Sequence, residues 1–310
     1  MIPSDRVGRT VALASIGISA ALAAAKITVG LKANSTAVVS DGLESASDIF
    51  ASGVVLFGLI MAAKPADAEH PYGHGRIETL SGFSIGALLV AMGALIGVES
   101  LQRITRPHPP PELFAIWPAL ASVLLKSSTY GLKRHYGRKL RSSGLIADAW
   151  NDAMDVLSGG VAMIAVGLEA SNPALFAHVD DIGGGIVGAI VIGLGMHIVR
   201  DSGLQLIDTM PDPTMLRQIR DVALTVPGAL GIEKCFARKT GLRYHVDLHL
   251  EVDPEMTVSA SHDIAARVRD QVRERLPWVA DVLVHVEPYG MEPGFESQSL
   301  TPGRTNHGKS

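Results

Sequence analysis

The chain has 310 residues, of which 47% are hydrophobic and 19% are charged, and its formal net charge is −4. This weak acidity provides no basic face for nucleic acid, and a single cysteine, Cys235, excludes an intrachain disulfide and a thiolate metal cluster. Any bound metal must therefore have oxygen or imidazole ligands. The mean hydropathy is positive, at +0.26. The apolar residues are concentrated before about residue 208, and the last third has the composition of a soluble domain.

Six apolar segments have the length that a helix needs to cross a bilayer, which is about 20 residues. They cover residues 11–31, 37–61, 80–102, 113–131, 145–168 and 182–206. Lys and Arg are more frequent at the N-terminus and in the loops after the second and fourth segments, so the positive-inside rule places both termini in the cytoplasm. We expect a multi-pass protein of the cell inner (plasma) membrane.

Lysines and clustered glycines are notable within these segments. Lys26 and Lys126 lie in the first and fourth, and we expect each side chain to reach the membrane interface near a helix end. Glycines spaced by four residues in the third segment, together with a glycine cluster in the sixth, predict close helix packing. That packing could form within one subunit or across a dimer.

The second segment carries a stripe of carboxylates. Asp41, Glu44 and Asp48 fall within a ~60° arc of a helix, so they share one face. A carboxylate in a bilayer costs several kcal/mol unless it faces protein, water or a cation, and the stripe therefore predicts a functional site. The alternative is a soluble core helix with a solvated edge.

The fifth segment repeats this spacing with Asp148, Asn151 and Asp155. If the two helices face each other, two pairs of oxygen ligands meet, each pair about one helical turn apart. The four ligands are Glu44, Asp48, Asn151 and Asp155. This arrangement predicts a metal cage. Crowded carboxylates repel one another, so the cage is expected to take up a proton when the metal leaves.

The loop after the second segment contains Asp67, His70 and His74, whose spacing suits one metal ion in a turn. Three ligands without a fourth predict a weak or labile site. The alternative is a solvated loop without metal.

After Met210 the pattern changes to that of a soluble α+β domain with the order α-β-β-α-β, which implies a small open sheet with both helices on one face. On the middle strand His249 belongs to a polar face that alternates with an apolar one. His285 and Glu287 share a face of the last strand, and His262 lies in the last helix. These side chains predict a second metal site, or else a polar sheet face in water.

Five stretches of this chain resemble the cation diffusion facilitator (cation efflux) family over about residues 8–288. They are NSTAVVSDGLESASD, PADAEHPYGHGRIE, ADAWNDAMDVLSG, SASHDIAARV and DVLVHVEP. The resemblance implies a homodimeric divalent-metal/proton antiporter, a secondary active transporter rather than an enzyme. It implies a six-helix transmembrane domain in residues 1–210 and a ferredoxin-like cytoplasmic metal-binding and dimerisation domain in residues 211–288. A disordered tail would follow in residues 289–310.

The resemblance also assigns site residues. The transport site falls on Glu44, Asp48, Asn151 and Asp155, the loop site on Asp67, His70 and His74, and the cytoplasmic site on Glu233, His249, His262, His285 and Glu287. At position 233 some zinc transporters of the family have a histidine. Arg76 and Asp208 occupy the positions of an inter-helix charge pair in family dimers.

The identity of the metal depends on two departures from the zinc members, which commonly have histidine at position 151 and often Asp or His at position 44. Asn151 and Glu44 make this cage all-oxygen, which favours manganese(II) or iron(II) over zinc relative to a histidine-containing site. The same mechanism with zinc, cadmium, cobalt or nickel is the alternative. More remote alternatives are a cation channel and an intramembrane metalloenzyme.

Overall fold

The computed structural model describes residues 3–32, 36–104, 116–171 and 179–290. Within these ranges the chain forms eight helices and three strands. It divides into two compact units, one made of Met1–Thr209 with Arg238–Arg243 and the other of Met210–Ala237 with Tyr244–Ser310. The predicted disordered tail lies outside the described residues from position 291 onward.

The first unit is a bundle of long helices. Their bounds are α1 Pro3–Lys32, α2 Thr36–Ala62, α3 Arg76–Ile104, α4 Ile116–Leu140, α5 Ser143–Ser171 and α6 Val179–Leu206. At 1.5 Å per residue each exceeds the roughly 30 Å hydrocarbon thickness of a bilayer. Over the described residues, each predicted apolar segment coincides with one of these helices.

Length and composition single out three of the described helices as able to cross a membrane, in the ranges Arg6–Val29, Arg76–Gln102 and Ile182–Leu206. Among its described residues, α2 also contains a shorter apolar stretch, Asp48–Ala62. Helix α4 carries the buried residues Lys126 and Lys133, and its mean hydropathy is low although its length is sufficient.

Glycines bring α3 and α6 into backbone contact within one chain. A Cβ atom added at Gly93 would lie 2.9 Å from the Gly188 carbonyl oxygen, and one at Gly188 would lie 2.8 Å from the Gly93 carbonyl oxygen. A Cβ at Gly195 would similarly lie 2.8 Å from the carbonyl oxygen of Gly86. These contacts confirm the prediction of close glycine packing and place it within one subunit.

The start of α5 is fixed by a carboxylate from α3. The fully buried Glu78 accepts hydrogen bonds at Oε1 from Ser142 Oγ at 2.6 Å and from the Gly144 amide at 2.7 Å. Ser142 Oγ in turn accepts from the Leu145 amide at 3.1 Å. These bonds satisfy donors that the first turn of a helix leaves free. They therefore hold the first turn of α5, from which the acidic residues of that helix follow.

The chain from Met210 onward, most of which belongs to the second unit, has the predicted α-β-β-α-β order. Its elements are α7 Pro213–Ala223, β1 Gly231–Thr240, β2 Arg243–Val252, α8 Val258–Arg275 and β3 Val279–Pro288. The strand order in the sheet is β1-β2-β3, and β2 pairs with β3 in parallel. A two-residue turn joins β1 to β2, and Gly241 adopts a φ of 65° there, a conformation that glycine accepts without steric cost.

The core of this unit confirms the predicted alternation of β2. Its buried face consists of Tyr244, Val246, Leu248, Leu250 and Val252. Helix α8 contributes Ile264, Val268 and Val272 to the same hydrophobic cluster, a spacing of one helical turn. The opposite face of β2 is thereby left to its polar residues.

Replacing Gly188 by valine is expected to force α3 and α6 apart, because the new side chain would meet the backbone of Gly93. Overpacking of this kind costs roughly 1–3 kcal/mol. We therefore expect a lower midpoint of thermal unfolding for detergent-purified Gly188→Val. Gly193→Val is the matched control on the same helix, since a Cβ there meets nothing within 4 Å. Equal midpoints for the two variants would contradict this account of the packing.

Candidate functional site

Three of the four predicted cage residues come together inside the helical bundle. Asn151 Nδ2, from α5, donates a hydrogen bond to Asp48 Oδ1, from α2, at 2.9 Å. Asp155 lies one turn further along α5, and its carboxylate and that of Asp48 contact the same ammonium group. The side chain of Glu44 lies outside the described residues, although its backbone belongs to α2. The structure thus brings together two carboxylates and one amide of the predicted cage.

The shared ammonium group belongs to Lys126 of α4. Its Nζ lies 2.6 Å from Asp48 Oδ2, 2.8 Å from Asp155 Oδ2 and 3.1 Å from Asp152 Oδ1, and its side chain is 2% exposed. The prediction that Lys126 reaches the membrane interface is therefore wrong. A buried ammonium is tolerated here because carboxylates from two other helices surround it.

Lys26 also differs from its predicted position. Its side chain is buried, and its ammonium donates hydrogen bonds to Ser45 Oγ and Ser122 Oγ, both at 3.0 Å. The polar partners lie on α2 and α4, so this lysine is directed into the bundle as well.

A second layer of ion pairs adjoins the first. Lys133 Nζ lies 2.9 Å from Asp148 Oδ2 and 2.7 Å from Asp152 Oδ2, and all three side chains are 1% exposed. Ser52 Oγ donates to the Asp148 carboxylate at 3.0 Å. Asp152 consequently bridges Lys126 and Lys133 and connects the two layers.

The sequence contains a further signal for these ion pairs. Lys126 and Lys133 are seven residues apart, or two helical turns, and so share one face of α4. Asp148 and Asp155 are also seven residues apart on α5. Opposite charges at the same spacing on two consecutive helices predict a row of ion pairs between those helices. Helices α4 and α5 form such a row.

A cavity of about 260 Å³ reaches this cluster. Its polar end is formed by Asp48, Asn151 and Asp155, whereas Lys126 is not among its described lining residues. The remaining wall is mostly apolar and comes from α2, α3, α5 and α6, with Leu88, Leu89, Met92, Ile96, Val187 and Val191 among its members. A hydrophobic cavity that ends on converging polar groups has the form of a binding site.

The predicted loop residues also meet. Asp67 Oδ1 lies 3.1 Å from His70 Nδ1, and Asp67 Oδ2 lies 3.3 Å from His74 Nε2. Their ligand atoms all lie within 4.8 Å of one another. Hydrogen bonds to Asp67, first that from the His70 backbone amide, lower the pKa of its carboxyl group. His74 Nδ1, the ring nitrogen that does not contact Asp67, is buried without a hydrogen-bond partner among the described residues.

In the second unit, the strand register assembles the predicted cytoplasmic cluster. His249 of β2 pairs with His285 of β3, and His249 Nδ1 contacts Glu287 Oε1. The ligand atoms of His249, His285 and Glu287 lie within 4.8 Å of one another, and Glu233 Oε2 lies 3.9 Å from His249 Nδ1. His262 is exposed on α8 and does not join this group.

The two glutamates of this cluster affect each other. A hydrogen bond between the side chains of Glu233 and Glu287 raises the pKa of Glu233 and lowers that of Glu287. The histidines beside Glu287 lower its pKa further. An ionised carboxylate between two imidazoles is a donor set suited to a divalent transition metal.

The predicted charge pair is also present, within a single chain. Arg76 at the start of α3 contacts the carboxylate of Asp208, which follows the end of α6. Both side chains are about half exposed, so the pair is screened by solvent.

Long apolar helices around buried carboxylates are typical of membrane proteins that transport ions. Residues 12–207 match the cation efflux transmembrane domain, and residues 211–289 match the cytoplasmic domain of cation efflux proteins. The chain therefore belongs to the cation diffusion facilitator family, whose members are metal transporters and not enzymes. This result confirms the predicted family, fold and class of activity.

Named relatives span bacteria and plants. Metal tolerance protein C1 of Arabidopsis thaliana is 30% identical over 303 residues, which cover 92% of this chain but only 62% of that relative. The manganese efflux system protein MneP of Bacillus subtilis (strain 168) is 29% identical over 92% of this chain and 97% of its own length. A solved MamM C-terminal domain is 29% identical and covers 24% of this chain and 95% of its own, with a TM-score of 0.24.

Asp152→Ala is expected to destabilise the bundle strongly, because it removes the carboxylate that Lys126 and Lys133 share. Breaking a buried ion pair from one side costs about 3–5 kcal/mol. The measurement is the midpoint of thermal unfolding of the purified protein in detergent. Asp201→Ala is the control, since Asp201 is half exposed and pairs with His197 and Arg200 at the helix surface. A wild-type midpoint for Asp152→Ala would show that this pairing does not support the bundle.

Proposed function

We propose that this protein exports a divalent transition-metal cation from the cytoplasm in exchange for protons, through a site formed by Glu44, Asp48, Asn151 and Asp155. The observation that supports it most is the convergence of Asp48, Asn151 and Asp155 from two helices at the polar end of an apolar cavity. The cavity gives an ion a path to the carboxylates, and the protein around them excludes bulk water.

The charge of the cluster favours a divalent cation. In the two layers of ion pairs, four described aspartates outnumber the two lysines that they contact by two when all are ionised. One divalent cation neutralises that excess, whereas a monovalent cation leaves half of it. The site is therefore suited to divalent ions on charge alone.

Proton coupling follows from the same crowding. Carboxylates that share a water-poor site repel each other, so departure of the metal favours uptake of protons by the cage. If the protonated cage returns to the other side of the membrane and releases its protons there, each cycle exchanges metal for protons. An inward proton gradient then drives metal export.

Manganese(II) or iron(II) is the proposed substrate. Asn151 supplies an amide where zinc members of the family commonly have an imidazole, and oxygen ligands favour these harder ions relative to a site with histidine. The similarity to a manganese efflux protein points the same way. Zinc, cadmium, cobalt or nickel by the same mechanism is the second candidate, because an oxygen site still binds zinc more tightly than manganese.

The two histidine clusters are proposed as accessory sites. The loop residues Asp67, His70 and His74 fit a labile site for the same metals. In the cytoplasmic domain, proposed to span residues 211–288, His249, His285 and Glu287 with Glu233 fit a regulatory site. We further propose that this domain pairs in a homodimer, and that both termini lie on the cytoplasmic side of the inner membrane.

Asp48→Ala and Asp155→Ala are each expected to lower manganese-for-proton exchange by at least about tenfold, because each removes a charged ligand. The measurement is manganese-driven proton movement in proteoliposomes that contain a pH-sensitive dye. Asp201→Ala serves as the control, since this carboxylate lies on the surface of α6. Wild-type exchange rates in either cage variant would contradict the proposed transport site.

Asn151→His is expected to raise zinc transport relative to manganese. Imidazole nitrogen binds zinc at about 2.0–2.1 Å and is softer than an amide oxygen. The measurement is the zinc-to-manganese ratio of initial rates in proteoliposomes. Asn151→Gln retains the amide and should leave the ratio near that of the wild type. An unchanged or lowered ratio in Asn151→His would mean that this position does not set metal selectivity.

A further inference from the structure

We propose that Lys126 is a tethered cation that competes with the transported metal for Asp48 and Asp155. The proposal rests on the transport function proposed above. It adds a residue that sets both the affinity of the site and its preference for divalent over monovalent ions.

The first observation is that one pair of carboxylates faces two cation positions. Asp48 and Asp155 line the cavity through which we expect a metal to enter, and both also contact Lys126 Nζ, at 2.6 Å and 2.8 Å. Lys126 does not line that cavity among the described residues, so the carboxylates lie between the cavity and the ammonium. A metal ion in the cavity and the ammonium are therefore attracted to the same two carboxylates, and the two cations repel each other.

The second observation is that the ammonium has another partner. Lys126 Nζ lies 3.1 Å from Asp152 Oδ1, and Asp152 is absent from the described lining of the cavity. When Asp48 and Asp155 coordinate a metal ion, Lys126 keeps its contact with Asp152. Its buried charge therefore stays paired. Lys133 holds Asp152 in place from the other side, at 2.7 Å.

A purely structural role for Lys126 makes the opposite prediction. If the ammonium only aligned the carboxylates for metal binding, its removal would weaken metal affinity. If it competes with the metal, its removal strengthens affinity. The sign of the change in Kd therefore separates the two roles.

Competition also explains how the site would reject monovalent ions. A sodium or potassium ion carries the same charge as the ammonium and gains no Coulomb energy by taking its place, whereas a divalent ion carries twice that charge. The ammonium is also held in position by the chain, while a free ion must give up its hydration shell and its translational freedom. Lys126 thereby excludes ions that do not exceed its own charge.

The test measures manganese binding to the purified full-length protein from the electron paramagnetic resonance signal of free manganese(II). Lys126→Gln and Lys126→Met remove the charge, and each should bind manganese about tenfold more tightly than the wild type, a typical size for coupling between two ligands. Lys126→Arg keeps the charge and should retain an affinity close to that of the wild type. Lys139→Gln is the control, because it makes the same charge change at an exposed position of α4.

Transport kinetics provide an independent readout. In proteoliposomes the neutral variants should show a lower KM for manganese together with a lower kcat, because a metal that is held more tightly is released more slowly. Structural damage would instead raise KM. A Kd or KM equal to or weaker than that of the wild type in a folded neutral variant would overturn the proposal.

Folding of the variants does not limit the test. If neither neutral variant elutes as a folded protein, Lys126→Arg decides, because a change in Kd of about tenfold in either direction would contradict a role based on charge. Comparing manganese binding by the wild type and by Asp48→Ala distinguishes a failure of this proposal from a failure of the proposed transport function. Manganese binding that Asp48→Ala does not weaken would overturn the proposed site itself, whereas a failure confined to the Lys126 variants would overturn only the competition.

Selectivity is tested by exchanging salts at constant ionic strength. The Kd for manganese should be the same for the wild type in sodium chloride and in choline chloride. In the neutral variants it should be higher in sodium chloride, because sodium then occupies the position that the ammonium leaves. Equal values in the two salts for the neutral variants would contradict the exclusion of monovalent ions by Lys126.

Discussion

Pairing of buried charge is the constraint on which the rest of this structure depends. Aspartates of α2 and α5 surround two lysines of α4, and the effective cost of burying any one of these ions alone is several kcal/mol. The charges must therefore converge, which fixes how α4 lies against α2 and α5. The Glu78 contacts at the start of α5 and the glycine contacts between α3 and α6 hold the surrounding helices in an arrangement that permits this convergence.

The same pairing limits how strongly the site can hold a metal. A divalent ion bound to Asp48 and Asp155 would repel the ammonium of Lys126, because that ammonium contacts the same two carboxylates. Movement of the ammonium toward Asp152 relieves part of this repulsion, and the remainder opposes metal binding. Because a carrier must release its substrate on the far side, the proposed transport site, with its excess of negative charge, would benefit from an internal cation that weakens metal binding. Stability and transport are thus linked through Lys126.

Most of the features that the sequence predicts correctly depend on local periodicity. Apolar runs predict the long helices, and alternation predicts the buried face of β2. The i,i+4 spacing on two helices predicts that Asp48, Asn151 and Asp155 meet. The position of Lys126 was missed because its partner Asp48 lies 78 residues away in the chain, and only the packing of three helices joins them. The structure does not bring His262 to the cytoplasmic cluster, because α8 packs against the buried face of β2, whereas His249 lies on the opposite face of that strand.

The most direct test of the account is to locate manganese in crystals of the full-length protein by anomalous diffraction at the manganese absorption edge. We expect a peak in the bundle, at a coordination distance of about 2.0–2.6 Å from oxygens of Asp48, Asn151 and Asp155. We also expect Lys126 Nζ to contact Asp152 and to have moved away from Asp48 and Asp155. Manganese found only at the histidine clusters, with the ammonium still between Asp48 and Asp155 at saturating metal, would contradict it.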